Sequence, residues 1–220
     1  IDPAEIQIAN NLLKDFAASP DITAEVVYRT SWARFNILEQ TPLHEIFKRS
    51  ILARLMGRTV YTGLPLAFHK FMYDGLYTFA GNFRSEKDPQ GGKIYFGPQH
   101  AQLRQPPFQG SAPKDIGSDI VDAVWFLKKN HKDPVYSAMR FYQKFVNVHP
   151  FYDANGRIGR LIASMYLADK GLVLSWSEFD SKSKFIKKLN RCHLNPNNDT
   201  FGYLVDYLRQ FTINMDDLES

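Results

Sequence analysis

Apolar residues recur at helical spacing along most of this chain. From Ala4 to Ala17 the repeat runs through Ile6, Ile8, Leu12, Leu13 and Phe16, and Ser19-Pro20-Asp21 stops it. The same period predicts amphipathic helices over Ile22–Leu38 and Leu43–Met56, with Pro42 suited to the first turn of the second. Leu64–Leu76 follows, with Pro65 near its start and Gly75 near its end. Helical patterning resumes at Ile116–Asn130 and Val135–Asn147, then from about Arg157 to Lys170, where Gly171 ends it. Two more helices are expected near Phe179–Cys192 and Phe201–Phe211.

The pattern breaks between Phe79 and Gly97. Ala80-Gly81-Asn82-Phe83-Arg84 and Asp88-Pro89-Gln90-Gly91-Gly92 are turn chemistry, and Lys93-Ile94-Tyr95-Phe96 is a short β-like run. This segment reads as a small β-hairpin inside a helical protein, and Gln102–Lys114, rich in Pro and Gln, as an irregular surface loop. No internal repeat or low-complexity tract is present. The expected architecture is a single all-α domain with a small β-hairpin flap. An N-terminal helical segment (1–60) packs on the core, the main domain covers 61–211, and 212–220 is a C-terminal tail.

Composition adds limits. The chain has 220 residues, enough for one substantial domain and cramped for two. Its net charge of +4 is carried by scattered Lys and Arg, which reads as a solvated surface. With no basic stripe and no interleaved stacking aromatics, a nucleic-acid partner is not expected. The single Cys192 excludes an internal disulfide and fits a reducing compartment. As a lone Cys it reads as a small buried residue rather than a nucleophile. No apolar run approaches a membrane span and the start is not a signal peptide, so a cytoplasmic protein is expected, with delivery into a host cell left open. The chain opens at Ile1 without an initiator Met, which suggests that it is part of a longer protein.

The chemistry concentrates in His149-Pro150-Phe151-Tyr152-Asp153-Ala154-Asn155-Gly156-Arg157-Ile158-Gly159-Arg160. Ala154-Asn155-Gly156 before a helix can turn backbone N–H groups into one concavity, where the positive end of the helix dipole favours phosphate. An ordinary transition with Asn155 as N-cap would look the same. Arg157 and Arg160, three apart, can converge on one anion, although a solvent-facing pair is the plain alternative. Asp153 beside that site would repel a phosphate unless Mg²⁺ lay between them; alternatively it caps the helix. His149 has the proton affinity of a general base. Phe151 reads as a core anchor for the loop and Pro150 as a stiffener.

The stretch His149–Arg160 resembles the signature of the Fic family, His-x-Phe-x-Asp/Glu-Gly-Asn-Gly-Arg-x-x-Arg, with one departure, Ala154 in place of Gly. Phe68-His69-Lys70 and Leu76–Arg84 look like the family's segment leading to its target-docking flap. Gly92–Pro98 looks like the flap, and Phe185–Leu208 like the closing helices. The resemblance covers roughly 60–210. It implies a Mg²⁺-dependent protein adenylyltransferase that moves AMP from ATP onto a Ser, Thr or Tyr hydroxyl of a target protein, in bacterial settings. His149 would be the base and Asp153 would hold Mg²⁺ across the α- and β-phosphates. The turn at Ala154, Asn155 and Gly156, with Arg157, would cradle the phosphates, and Arg160 would face the γ-phosphate. Ile94, Tyr95 and Phe96 would register the target by strand addition.

The related Doc branch, which phosphorylates its target, shares the Ala but has Lys where this chain has Gly156; retention of Gly156 and Arg160 favours nucleotidyl transfer. Another donor (UMP or phosphocholine), removal of AMP, phosphorylation, and an inactive protein-docking module stay open as alternatives. Many members carry an inhibitory helix with Ser/Thr-x-x-x-Glu-Gly/Asn. Here Thr41-Pro42-Leu43-His44-Glu45 is followed by Ile46, and Glu39 is preceded four residues back by Phe35, so neither is a full match. The inhibitor is then a separate small antitoxin-like protein, a degenerate helix, or a segment outside this stretch of chain.

Overall fold

The computed structural model describes residues 1–40, 60–98, 106–128, 132–176, 182–195 and 197–218. Eight α-helices lie among them: α1 (Pro3–Phe16), α2 (Ala24–Gln40), α3 (Val60–Tyr73), α4 (Ile116–Lys128), α5 (Pro134–Val148), α6 (Asn155–Asp169), α7 (Lys182–Leu194) and α8 (Asn198–Arg209). The all-α expectation holds, and the helix expected at Leu43–Met56 lies outside the described residues. No helix among the described residues is long and apolar enough to cross a membrane.

The centre is the hairpin of α5 and α6, with α4, α3, α7 and α8 packed around it. Helix α5 begins where Asp133 accepts a hydrogen bond from the Tyr136 N–H and Pro134 fills the first turn. Its apolar stripe, including Met139, Phe141, Tyr142 and Phe145, is buried. Gly159 lets α6 approach closely: a Cβ there would come within 3.1 Å of both the Phe145 and Tyr142 rings. Helices α1 and α2 pack on each other, α2 also packs on α3, and Thr78 N–H donates to Phe16 O at 2.9 Å.

Two small antiparallel sheets complete the described fold. Strand β1 (Tyr95–Phe96) pairs with β2 (Phe108–Gln109), so the flap is a hairpin as expected. Its second strand falls inside the stretch read as irregular loop, because the buried Phe108 ring packs 5.5 Å from Phe96. Strand β3 (Leu172–Leu174) pairs with β4 (Thr212–Asn214), so the segment read as a tail starts as a strand.

Candidate active site

The loop between α5 and α6 is held in a left-handed conformation at two non-glycine positions. His149 caps α5 with φ 51° and Ala154 precedes α6 with φ 66°. Each costs about 1–2 kcal/mol for a residue with a Cβ, so the surroundings must over-determine the loop. They do. Phe151 is fully buried and stacks on His69 at 4.0 Å and 11°. Asn155 closes a ring with the same residue: its Oδ1 accepts from Phe151 N–H at 3.0 Å and its Nδ2 donates to Phe151 O at 2.8 Å. Its side chain is therefore a staple and not an N-cap; Ala154 occupies the cap position without a side-chain bond.

Arg84 fastens this loop to the flap. Its Nε donates to His149 O at 2.7 Å, Nη2 to Ser111 O at 2.8 Å and to Val148 O at 3.3 Å, and Nη1 to Gly92 O. Its backbone N–H adds a bond to Pro150 O at 3.0 Å. Burial draws the guanidinium pKa down, with Tyr152 and Asp88 opposing, yet four carbonyls hold it in place.

His149 is half-buried. Its Nδ1 lies 3.0 Å from Val146 O. A carbonyl only accepts, so Nδ1 carries the proton and Nε2 keeps the lone pair of a base. The imidazole pKa falls from the ordinary 6.5 to about 4, mainly through burial; the Val146 bond and Asp153 oppose this while Arg84 and His193 add to it. Phe96 of the flap lies flat on this ring. His193 of α7, for which the sequence offered no signal, packs edge-on against Phe96 at 5.9 Å and Phe108 at 5.3 Å. Ile94, Tyr95 and Phe96 are each half-buried, and β1 pairs only with β2 among the described residues, which leaves its other edge free. Cys192, next to His193 in the sequence, is buried, with its thiol donating to Thr200 O.

Asp153 accepts from both sides. Its Oδ1 takes the Ala154 N–H at 2.7 Å and its Oδ2 the Tyr73 hydroxyl at 2.6 Å. Arg157 is buried, donates through Nη2 to the same hydroxyl at 2.8 Å, and lies 3.6 Å from Asp153 Oδ2. Arg160 instead hydrogen-bonds Tyr142 and faces a cavity of about 700 Å³ lined also by Trp32, Phe35, Glu39, Trp176 and Phe185. The two arginines therefore part: Arg157 points inward to α3 and Arg160 toward the cavity. Between them Gly156 leaves room, since a Cβ there would lie 3.2 Å from Arg160 Nη1. Glu39, on the end of α2, shares that cavity. Desolvation raises its pKa and the Arg160 charge opposes this. Its helical position, rather than a Ser or Thr four residues earlier, is what brings it there.

No group of three or more His, Cys, Asp or Glu residues poised for a metal occurs among the described residues. A divalent ion at Asp153 would need oxygen ligands from an anion bound opposite, a sharing that suits Mg²⁺.

Residues 64–167 match the model of the Fic/DOC family. A comparison with curated protein sequences finds no match. Among solved structures, the chain resembles a Fic family protein from Desulfovibrio desulfuricans at 17% identity and a TM-score of 0.54, covering 94% of this chain and 62% of that one. It resembles the N-terminal Fic domain of a Bartonella quintana effector with bound ADP at 11% identity and a TM-score of 0.61, covering 92% of each chain. It also resembles the Bartonella tribocorum effector BepC with bound AMPPNP at 12% identity and a TM-score of 0.58, covering 86% of each. At these identities the likeness establishes the fold.

Proposed function

We propose that this chain, whose residues 64–167 match the Fic/DOC family model, is a protein adenylyltransferase of that family, moving AMP from ATP onto a Ser, Thr or Tyr hydroxyl of a target protein. The observation that carries this reading is Gly156. Its missing Cβ leaves open the space in front of the Arg160 guanidinium, where a side chain would obstruct the phosphates. Solved structures of similar fold that hold ADP or AMPPNP support a nucleotide in this family of sites.

In the reaction, His149 Nε2 takes the proton of the target hydroxyl as its oxygen attacks the α-phosphorus. The bond from that phosphorus to the β-phosphate bridge breaks, and pyrophosphate leaves. With its pKa near 4, the imidazole is neutral and ready as a base at physiological pH. Asp153 would hold Mg²⁺, which would supply positive charge to screen the phosphates. The N–H groups at Asn155 and Gly156 face the phosphates at the start of α6, where Ala154, its own N–H held by Asp153, shapes the turn, and Arg157 adds its charge from behind. Arg160 meets the outer phosphate. The target docks by adding a strand to the free edge of β1, which reads backbone rather than sequence. The test is mass spectrometry of a lysate incubated with the protein, ATP and Mg²⁺. Adenylylated Ser, Thr or Tyr that vanishes with His149→Ala supports the reading; its absence with folded protein contradicts it.

A further inference from the structure

Arg157 is 7% exposed, and its Nη1 is buried without a hydrogen-bond partner. A guanidinium so placed needs its charge met by other means. The face of Trp32, on α2, lies 4.5 Å from Arg157 Cζ, an arrangement that favours a desolvated cation. The indole is itself fixed, because its Nε1–H donates to Glu5 Oε2 of α1 at 2.6 Å. On the other side the directions of the bonds are forced. Arg157 can only donate, so the Tyr73 hydroxyl accepts from it at 2.8 Å and spends its one proton on Asp153 Oδ2 at 2.6 Å.

We infer that Trp32 and Tyr73 are positioning residues for Asp153, so that α1 and α2, which lie outside the matched segment 64–167, complete the anion site. Trp32, steadied by Glu5, holds Arg157 back in its aromatic seat. Tyr73 stands between Arg157 and Asp153 and passes the hold on as a hydrogen bond. The carboxylate is thereby oriented while its ion pair with the guanidinium stays at 3.6 Å, too long for a direct hydrogen bond. Without Trp32, Arg157 is free to close from 3.6 Å to direct hydrogen bonds with Asp153 and occupy the oxygens needed outward. The consequence for metal binding rests on the reading of Asp153 as the Mg²⁺ ligand.

The test uses the whole chain as Trp32→Leu, Trp32→Phe, Tyr73→Phe and, as control, Tyr77→Phe, whose buried hydroxyl has no partner. Two readouts are taken. The first is amide hydrogen exchange across 150–157 in nucleotide-free protein. The second is calorimetric ADP affinity in Mg²⁺ divided by that in EDTA. Trp32→Leu and Tyr73→Phe are expected to speed exchange in that segment and to lower the affinity ratio by about tenfold, as losing the support of a metal ligand does. Affinity in EDTA should fall by much less than affinity in Mg²⁺. Trp32→Phe, which keeps an aromatic face, should retain most of both, and Tyr77→Phe should match the wild type. Unchanged exchange in Trp32→Leu, or faster exchange with an unchanged ratio, overturns the inference. Wild-type ADP affinity indifferent to Mg²⁺ overturns instead the metal role of Asp153, and the exchange data still decide whether Trp32 positions the loop.

Discussion

The ring of Phe96 lies flat against the imidazole of His149, with centroids 4.2 Å apart and planes 11° from parallel. The same flap residue thus borders the edge proposed to dock the target and shields the imidazole proposed as base. Burial is the main reason the His149 pKa drops to about 4. A base must be unprotonated, so activity fails as pH falls through its pKa, and kcat/KM of the wild type should stay level down to about pH 5. Phe96→Ala rehydrates the ring and should move that acid limb up toward the ordinary 6.5. A pH–rate profile checks this; an unmoved limb in the variant would refute the role of Phe96.

Glu39 and Arg160 face one cavity, and the carboxylate competes with any anion for the guanidinium. Glu39→Gln keeps the shape and removes the charge. For a pair this open to solvent the gain is modest, about two- to fivefold tighter ADP binding, with transfer rising in step. Calorimetry is the check, and equal affinity in the two proteins would mean that Glu39 does not guard Arg160.

Ala154 adopts φ 66°, where a Cβ costs about 1–2 kcal/mol relative to Gly. Against that, Ala saves about 0.4–1 kcal/mol of unfolded-chain entropy, and its buried methyl contributes about 0.8 kcal/mol. The opposing effects nearly cancel, which explains why the departure from Gly is tolerated. Ala154→Gly should change stability by less than about 1 kcal/mol, whereas Ala154→Val, β-branched in this conformation, should lose about 2 kcal/mol or more. Denaturant titration measures both.

The Arg84 guanidinium satisfies the carbonyls of Gly92 and Ser111 on the flap side and of Val148 and His149 at the loop, in a planar fork that an ammonium cannot reproduce. Arg84→Lys strands at least two buried carbonyls at about 1–3 kcal/mol each. Stability should fall by about 3 kcal/mol, and transfer should fall further than stability accounts for, because His149 O loses its tether. A melt paired with a rate measured well below the transition separates the two effects.

Much of this architecture is legible in the sequence because its helices carry their own punctuation. Helix α5 shows Asp133-Pro134 at its start and an unbroken apolar stripe, and the described helices fall within a few residues of the expected bounds. The His149–Arg160 loop is equally legible, since its residue types are close in sequence. What stayed hidden depends on distant partners. Strands β3 and β4 are three residues each, too short for periodicity to register, and exist only through pairing with each other. Arg157 and Arg160 share helical spacing, yet Tyr73 and Trp32, far away in the chain, turn one of them inward. His193 reaches the site through packing with no local pattern to mark it, and Glu39, visible in the sequence but short of a full motif, does so through the position of α2.

The loop carrying His149 and Asp153 is proposed to move AMP rather than phosphate. The most direct measurement compares ATP radiolabelled at the α-phosphate with ATP radiolabelled at the γ-phosphate, each incubated with the protein, Mg²⁺ and a cell lysate. Protein-bound label from the α-position alone, lost in His149→Ala, is the predicted result. Label from the γ-position alone would contradict it and identify phosphate transfer.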